Sequence, residues 1–435
     1  MKCLYLINAI LVLSIASCSS DEKSNVQQSG DSTEINAENS LPQPSESKTN
    51  FSKVIGWSGG RMPVAPAGFI VTKFADGLEN PRNIYEGPNG DIFVVQSGTE
   101  SKPISKVKDA VIGKSKSQNY GSANSITLFR DTNKDGIPDV KELFLTGLNQ
   151  PFGMLIIRDS FYVANTDGLL VFPYKAGQTK ITDKGRKILE LPAGGYNNHW
   201  TRNIVANADG SKIYISVGSG SNKAEHGMEN EVRRANILVI NTDGSNEKIY
   251  ASGLRNPVGM DWNPQSNKLW TVVNERDNLG DHLVPDYITS VREGGFYGWP
   301  YSYFGQHEDP DFKGIEPELV KKAIVPDFAL GAHTASLGLT FYNAKSFPQK
   351  YQNGAFIGQH GSWNSSRLVG YKVIFVPFNN GAPSGKAEDF LTGFIADEET
   401  SEVYGRPVGV TVTTDGALLI ADDAGNTVWR VAPSK

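Results

Sequence analysis

One pattern recurs along this chain and restricts its fold more than any other feature. It consists of a leading loop, a short apolar strand, a tight turn with Gly or Asn, and a second apolar strand. The leading loops occupy residues 80–83, 150–153, 199–203, 255–259, 336–338 and 406–409. Six copies at intervals of roughly 50 to 80 residues indicate a repeat architecture in which each unit is a small antiparallel sheet.

The repeats predict a closed ring of sheets. One unit cannot bury both of its faces alone, so the copies are expected to stack radially around a channel. We therefore predict an all-β fold, a six-bladed β-propeller over residues 51–435, with the strand at 69–74 pairing with the last repeat to close the ring. Two β-sandwiches are the alternative, and six similar leading loops argue against it. In a propeller these loops meet at one mouth of the channel, where a ligand could bind.

The first fifty residues predict export and attachment to a membrane. A positive start and an apolar stretch over 4–16 end in the sequence IASC (15–18), which is typical of a bacterial lipobox. Residues 1–18 are predicted to be a lipoprotein signal peptide, and an ordinary cleaved signal peptide is the alternative. A lipid on Cys18 would anchor the chain to the outer membrane, facing the periplasm or the cell surface. Residues 19–50 are polar and are predicted to be a disordered tether.

The segment 274–304 concentrates charged residues, turn signals and aromatic side chains. Its charged start follows an apolar run at 269–273, and a strand that ends in clustered charge commonly brings those groups to the rim of a site. The aromatic residues at 296–299 and 301–304 have two interpretations: they stack on a sugar, or they pack in the core. The net charge of −5 gives no indication of nucleic-acid binding.

Three of the six histidines, His199, His333 and His360, lie in or beside the repeat loops. Imidazole is the natural general base near neutral pH. Ordinary surface or packing histidines are the alternative interpretation.

Several motifs resemble the glucose/sorbosone dehydrogenases, a family that uses pyrroloquinoline quinone (PQQ). The similarity runs from residue 68 to 431. It is densest in the 274–304 segment and in GSGSN (218–222), GLRNP (253–257), GAHTASLGL (331–339), GQHGSWN (358–364), GYKVIFVPF (370–378), GRPVG (405–409) and ADDAGNTVWRV (421–431). The sorbosone-type branch fits better than the soluble glucose dehydrogenases. The resemblance implies a six-bladed propeller that holds the quinone flat over the channel mouth with one calcium ion.

The resemblance also implies roles for individual residues. His199 would be the catalytic base, taking a proton from a substrate hydroxyl while a hydride passes to the quinone. Cofactor contacts would come from Arg255, Asn256, His333, His360 and Arg406. An arginine suits this task because its fork matches carboxylate and quinone oxygens and it does not deprotonate. The main-chain carbonyls of Asp277 and Asn278 would bind the active-site calcium, a cation that prefers oxygen ligands.

Four positions depart from the family pattern. The glucose dehydrogenases place a lysine near Gly361-Ser362 and a second arginine near Gly405, and neither is present here. Ser219 stands where they use an acidic residue near the substrate, and Ser365 stands where related sequences often have arginine.

A second calcium site is predicted between two strands. Residues 131–142 fit the twelve-residue loop D-x-N-x-D-G-x-x-x-x-x-E, in which alternating oxygens wrap the ion. The expected ligands are Asp131, Asn133, Asp135, the Ile137 carbonyl, Asp139 and Glu142. An acidic surface hairpin without metal is the alternative.

The lysine-rich segment 97–121 is interpreted as a solvated insertion in the first repeat, with a role in substrate access or acceptor docking as the alternative.

The sequence thus predicts a quinoprotein oxidoreductase. It would oxidise a sugar, or a sugar-derived aldehyde or alcohol, with PQQ and calcium. An external acceptor, a quinone or a cytochrome, would take the electrons, because no C-x-x-C-H haem motif is present. Two alternatives stay open: a calcium-dependent propeller lactonase or other hydrolase, and a non-catalytic carbohydrate-binding surface lipoprotein.

Overall fold

The fold is all-β, as predicted. The computed structural model describes residues 41–100, 114, 117 and 121–434, and within them the strands form six sheets of four or five strands and two smaller sheets. The predicted signal peptide and residues 19–40 lie outside the described residues. None of the described helices is both long and apolar enough to span a bilayer.

We number the six larger sheets in chain order of their leading loops. Sheet 1 contains Pro81–Glu86, Ile92–Gln96, Ser125–Arg130 and Val140–Leu145. Sheet 2 contains Gly153–Ile157, Ser160–Asn165, Gly168–Pro173 and Arg186–Glu190. Sheet 3 contains Ile204–Ala206, Lys212–Val217, Asn236–Asn241, Lys248–Ser252 and Gly295–Phe296. Sheet 4 contains Asn256–Trp262, Leu269–Asn274, Pro285–Ser290 and Phe328–Ala332. Sheet 5 contains Ser336–Phe341, Gly354–Gln359, Lys372–Asn379, Ala382–Pro383 and Glu388–Leu391. Sheet 6 contains Pro407–Val412, Leu418–Asp422, Thr427–Pro433 and Phe69–Ala75.

The remaining elements are short. One small sheet contains Lys53–Val54, Ile395–Asp397 and Glu402–Val403, and the other contains Ser302–Tyr303 and His307–Glu308. The helices described are a turn of α-helix at Pro317–Val320 and the 3₁₀ turns Met228–Asn230, Pro310–Phe312 and Gln349–Tyr351.

Sheet 6 joins the two ends of the domain. Phe69–Ala75 pairs antiparallel with Thr427–Pro433, starting from Phe69 opposite Pro433. The prediction that the strand at 69–74 pairs with the last repeat is therefore confirmed. This pairing makes the last sheet depend on both ends of the domain.

Four of the six leading loops contain a glycine, Gly153, Gly259, Gly338 and Gly409, because the backbone touches the next sheet there. A Cβ at Gly153 would lie 2.6 Å from Ile204 N in sheet 3, and one at Gly259 would lie 2.7 Å from Leu339 N in sheet 5. A Cβ at Gly409 would lie 2.8 Å from the Arg82 carbonyl oxygen in sheet 1. Real Cβ atoms do not approach so closely, so only glycine fits. Glycine therefore occupies four of the six junctions between successive sheets, including the one from sheet 6 back to sheet 1.

Apolar side chains fill the space between neighbouring sheets. Trp270 of sheet 4 and Ile357 of sheet 5 belong to one buried cluster, and Ala164 of sheet 2 and Ile215 of sheet 3 belong to another. Burying a large apolar side chain contributes about 1.5–3 kcal/mol. These clusters fix the sheets rigidly, and the loops above them carry the polar residues.

Residues 41–57, which we call the strap, contact the loops at residues 279 and 363 and pair with the strand Glu402–Val403. The Ser45 amide donates to the Leu279 carbonyl at 3.0 Å, and the Asn50 amide donates to the Trp363 carbonyl at 2.9 Å. Leu41 is buried in the cluster that contains Leu279. Residues 41–50, the last ten of the predicted tether, therefore already contact the domain. The predicted domain bounds and the count of six blades stay predictions.

Candidate active site

A cavity of about 1130 Å³ opens where the leading loops meet. All eight residues to which the resemblance gives a catalytic, cofactor or active-site calcium role line it: His199, Arg255, Asn256, Asp277, Asn278, His333, His360 and Arg406. A cavity of this size is sufficient for a drug-sized ligand. The structure thus brings residues from 199 to 406 together around one cavity.

His199 is half-buried on the cavity wall. Its Nδ1 lies 2.9 Å from both the carbonyl oxygen and the hydroxyl oxygen of Ser219. Burial lowers the pKa of His199 well below its usual range, and the positive charge of Arg255 lowers it further. The imidazole is therefore neutral near pH 7, which is the form a general base requires.

Arg255 is committed to protein oxygens. Nε donates to the Asn222 carbonyl at 2.9 Å, Nη1 donates to the Glu275 carbonyl at 2.6 Å, and Nη2 donates to Asn222 Oδ1 at 2.7 Å. It also donates to Asn274 and Asp277, so all its N–H groups have acceptors. The neighbouring Asn256 Oδ1 is buried without a hydrogen bond among the described residues. Arg255 therefore ties sheets 3 and 4 together at the cavity, and Asn256 has an oxygen left for a ligand.

The floor of the cavity is rich in carboxyl groups. Glu275 and Asp286 are both buried there, and burial raises the pKa of Glu275 to about 7 and that of Asp286 to about 6. Glu275 Oε1 has no hydrogen bond among the described residues. A buried carboxylate oxygen without a donor is costly, so this floor favours a bound cation.

The carbonyl of Asp277, predicted to bind calcium, already accepts hydrogen bonds from Arg276 Nε at 3.1 Å and Asn222 Nδ2 at 3.3 Å. Asn278 adopts a left-handed backbone conformation, and its amide donates to Asn364 Oδ1 at 2.9 Å. His333 links to the same loop, because its Nε2 lies 2.9 Å from the Gly280 carbonyl oxygen. Burial alone would lower the pKa of His333, but Asp277 and Gly280 outweigh it and raise the pKa.

The opposite wall carries positive charge. Arg406 donates to the carbonyls of His360, Gly361 and Ser117 at 2.8–2.9 Å. Lys114 also lines this cavity. Sequence reasoning interpreted the segment with Lys114 as a solvated insertion, and it therefore missed Lys114 as a positively charged residue of the cavity.

His360 belongs to a buried charge cluster beneath that wall. Its Nε2 contacts Asp423 Oδ1 at 2.8 Å, and Asp423 Oδ2 accepts from Arg82 at 2.5 Å. Burial alone would raise the pKa of Asp423, but the hydrogen bond from His360 and the charges of Arg82 and Arg406 hold it well below its usual range. Asp423 is therefore the anion that fixes His360.

Two departures from the family pattern have a steric reason. A side chain at Gly405 would overlap the Asp422 carboxylate, whose Oδ2 lies 2.0 Å from the Cβ position. A side chain at Gly361 would meet the Tyr371 ring at 2.3 Å, and φ there is +97°. Neither position accepts a long cation, whereas Lys114 and the buried Arg82 supply positive charge nearby.

Exposed aromatic faces flank the cavity. Trp363 is 41% exposed and stacks on Phe51 of the strap with 5.8 Å between ring centroids. Tyr196 is 47% exposed and stacks on His226 at 3.4 Å. Sequence reasoning missed these faces, because nothing local links Phe51 to Trp363.

The aromatic residues of the 274–304 segment pack in the core instead. Tyr297, Tyr303 and Phe304 belong to one buried cluster, and Trp299 belongs to another. The core-packing interpretation is therefore the right one for these four residues.

The loop 131–142 lies apart from the cavity. Asp131 Oδ2 accepts from the Gly136 amide at 2.7 Å, and Asp139 Oδ2 accepts from the Thr132 amide at 2.5 Å. Glu142 lies on the strand Val140–Leu145 of sheet 1. Over the described residues, no group of three or more His, Cys, Asp or Glu side chains is arranged to hold a metal ion. Calcium at Asp131, Asn133, Asp135, Ile137, Asp139 and Glu142 stays a prediction.

Comparison with known proteins supports the resemblance found in the sequence. The chain is 30% identical over 198 residues to the aldose sugar dehydrogenase YliI of Escherichia coli, covering 41% of this chain and 50% of that protein. An uncharacterized protein of Borreliella burgdorferi is 28% identical over 379 residues, covering 84% of this chain and 89% of that protein.

Solved structures share the fold. The holo pyranose dehydrogenase PQQ domain of Coprinopsis cinerea matches with a TM-score of 0.67 and 19% identity, over 88% of this chain and 100% of that chain. The calcium structure of a Trichoderma reesei family AA12 enzyme matches with a TM-score of 0.69 and 18% identity, over 89% of this chain and 100% of that chain. The chain is thus similar in sequence and in fold to PQQ-dependent sugar dehydrogenases, as the resemblance implied. The chain belongs to the family described as "Domain of unknown function (DUF7133)", whose model matches residues 62–425.

Proposed function

We propose that this protein is a quinoprotein oxidoreductase that oxidises a sugar or a sugar-derived aldehyde or alcohol with PQQ and calcium. One observation carries the proposal. A neutral histidine, His199, lies on the same cavity as a wall with Arg406 and Lys114 and a carboxyl-rich floor at Glu275. This arrangement combines a base, a site for an anion and a site for a cation.

The residues fit both groups. PQQ is flat and carries carboxylates, and Arg406 keeps two N–H groups without protein acceptors among the described residues, while Lys114 adds a flexible charge. The unpaired oxygens Glu275 Oε1 and Asn256 Oδ1 are suited to a hard cation or to a donor. When bound, the quinone would accept the hydride, which carries both electrons, and calcium would polarise the quinone.

The chain's own residues then bind, orient and accept a proton. His199 Nε2 would take the proton of the substrate hydroxyl, because its Nδ1 is engaged with Ser219. The exposed faces of Trp363 and Tyr196 would pack against the apolar C–H face of a sugar ring and exclude water from one side. Electrons would leave to an external acceptor, a quinone or a cytochrome.

Further parts of the proposal concern architecture and location. We propose that sheets 1 to 6 are the blades of one six-bladed propeller, supported by the glycine contacts at four of the six junctions between successive sheets. The lipobox at 15–18 supports anchoring through Cys18 to the outer membrane. The sorbosone-type substrate preference rests on the sequence resemblance.

The hydrolase alternative has less support. It requires a cation bound by several side-chain carboxylates at the channel centre, and no group of three or more such ligands is found in the described part of the chain. A non-catalytic sugar-binding role would use the same aromatic faces, so a decisive test measures sugar binding and turnover separately.

The test is reconstitution. The purified protein would be titrated with PQQ in the presence and absence of calcium, followed by its absorbance, and assayed for dye reduction with aldoses and aldehydes. Calcium-dependent binding and turnover are expected. His199→Ala should abolish turnover while retaining the absorbance change, and His307→Ala, outside the cavity, is the control. Sugar binding without any PQQ-dependent absorbance change would refute the proposal in favour of the non-catalytic alternative.

A further inference from the structure

The hydrogen-bond partners of His199 determine which ring nitrogen carries the proton. Both oxygens at 2.9 Å from Nδ1 belong to Ser219. A carbonyl oxygen can only accept, and the Ser219 hydroxyl uses its own hydrogen to donate to the Ser221 carbonyl at 2.6 Å. Both oxygens therefore accept from Nδ1–H. In the neutral ring the lone pair must then be on Nε2.

The loop that presents Ser219 is held by the backbone of Arg255 and by the buried side chain of Glu231. The Ser219 amide donates to the Arg255 carbonyl at 2.7 Å. Glu231 accepts from the Gly220 amide at 2.7 Å and from the Ser221 hydroxyl at 2.5 Å. Ser219, Ser221 and Glu231 are all buried. A buried carboxylate thus fixes the loop, but it has no hydrogen bond to the imidazole.

The groups that face His199 carry positive charge. Arg255, Arg202 and Arg234 come from three different segments, and each disfavours an imidazolium at this position. Arg202 is fully buried, and it donates to the carbonyls of His199, Thr201 and Pro192 at 2.7–2.9 Å. No ion pair with a carboxylate is found for Arg202 among the described residues. The imidazole thus lies near three positive charges, and its hydrogen-bond partners among the described residues are neutral oxygens.

We propose that Ser219 is the positioning residue of this site: its carbonyl and hydroxyl oxygens hold His199 with the proton on Nδ1 and present Nε2 to the substrate, without a carboxylate. The role of Nε2 as a base rests on the proposed function, but the position of the proton on the His199 ring does not. A base held in this way stays unprotonated in mild acid. The rate should therefore be retained at a pH where a histidine paired with a carboxylate would already be protonated.

The ring state can be measured without cofactor. Histidine-selective ¹⁵N labelling of the full chain gives six imidazoles, and the signal lost in His199→Gln assigns His199. The protonated-type shift is expected at Nδ1 and the lone-pair shift at Nε2, unchanged from pH 8 to pH 5.5. A lone-pair shift at Nδ1, or averaged shifts from two exchanging tautomers, would overturn the proposal.

Variants separate positioning from general structure. Ser219→Ala removes one of two acceptors, and it should shift the ¹⁵N signals towards tautomer exchange and lower kcat/KM about five- to tenfold. Ser219→Asp places a carboxylate beside Nδ1 and should move the acid limb of kcat/KM upward by about one pH unit or more. Ser216→Ala is the matched control: Ser216 is an equally buried serine on the adjacent strand whose hydroxyl contacts Asn203 instead.

The outcomes distinguish the two proposals. If the protein binds no PQQ but the ¹⁵N signals place the His199 proton on Nδ1, the proposed function is refuted and the assignment of Ser219 stands. Reconstituted turnover, with identical ring signals and pH profiles in Ser219→Ala, Ser219→Asp and Ser216→Ala, would refute the role of Ser219 alone.

Discussion

His360 provides a quantitative test of the charge cluster beneath the cavity. The residue is 8% exposed, and its Nε2 contacts Asp423 at 2.8 Å. Burial, together with the charge of Arg406, lowers the pKa of His360 to about 4 although Asp423 acts to raise it. An unfolded histidine titrates near pH 6.5. Between these two values the unfolded chain binds one proton that the folded chain does not.

The sign and size of the effect follow from linkage. Because the unfolded state binds more protons in this window, the free energy of unfolding falls as the pH drops from about 6.5 to about 4. Over about 2.5 pH units the slope is about 1.4 kcal/mol per unit at most and smaller near each pKa, so this residue is predicted to cost roughly 3 kcal/mol of stability. The slope cannot exceed about 1.4 kcal/mol per pH unit for one proton.

The assay is urea unfolding of the wild type and His360→Gln at intervals from pH 4 to pH 7.5. Glutamine can still donate an N–H to Asp423, but it does not titrate. Over the window, the wild type should lose about 3 kcal/mol more than the variant. Exposed His282→Gln is the matched control and should keep the wild-type slope. Parallel curves for His360→Gln and the wild type would show that the reasoning about the buried neutral imidazole is wrong.

Four features carry further predictions. Gly338→Ala should destabilise the fold by about 2 kcal/mol or more, seen as a lower Tm, because its Cβ would lie 2.1 Å from a backbone oxygen of sheet 6; Gly194→Ala, in open space, is the control and should be near neutral. Lys114→Gln should weaken PQQ binding about fivefold in an absorbance titration, and equal affinity would remove Lys114 from the cofactor wall. Phe51→Ala should raise KM for an aldose about fivefold while leaving kcat and the PQQ titration unchanged, since it removes the support of one aromatic face. Without PQQ, calcium should raise the Tm of the wild type but not that of Asp131→Asn, and a wild-type Tm that does not change on chelation would contradict the second calcium site.

The repeats made the all-β fold predictable because their signals are local. Turn glycines such as Gly210, with φ +65°, reverse the chain between apolar strands, and this requirement is visible in the sequence. The leading-loop glycine was visible as part of the motif. The cause of this glycine, a backbone contact with the next sheet, is not visible in the sequence, because the contact joins residues that are distant in the chain.

The site was predictable only where the motifs are continuous. His199, Arg255 and Arg406 lie in such motifs, and all three line the cavity. Lys114 and Phe51 also line it, but they come from segments whose composition is typical of solvated insertions or domain edges. Their approach to the cavity is set by tertiary packing, which no spacing rule encodes.

The aromatic run at 296–304 shows another limit of sequence reasoning. Stacking on a sugar and packing in a core require the same residue types, so the pattern could not separate them. The structure buries Tyr297 and Trp299, while the exposed faces belong to Trp363 and Tyr196. Exposure, rather than aromatic content, is what distinguishes the two uses.

The pairing of Phe69–Ala75 with Thr427–Pro433 has a consequence for biosynthesis. A chain emerging from the ribosome presents its first long strand early, and that strand has no partner until the final residues have been translated. Until then it offers an unpaired edge to other chains. The late step is also slow, since it joins segments at the greatest separation in the domain. A message truncated shortly before residue 427 would therefore yield an open, aggregation-prone ring rather than a smaller folded protein.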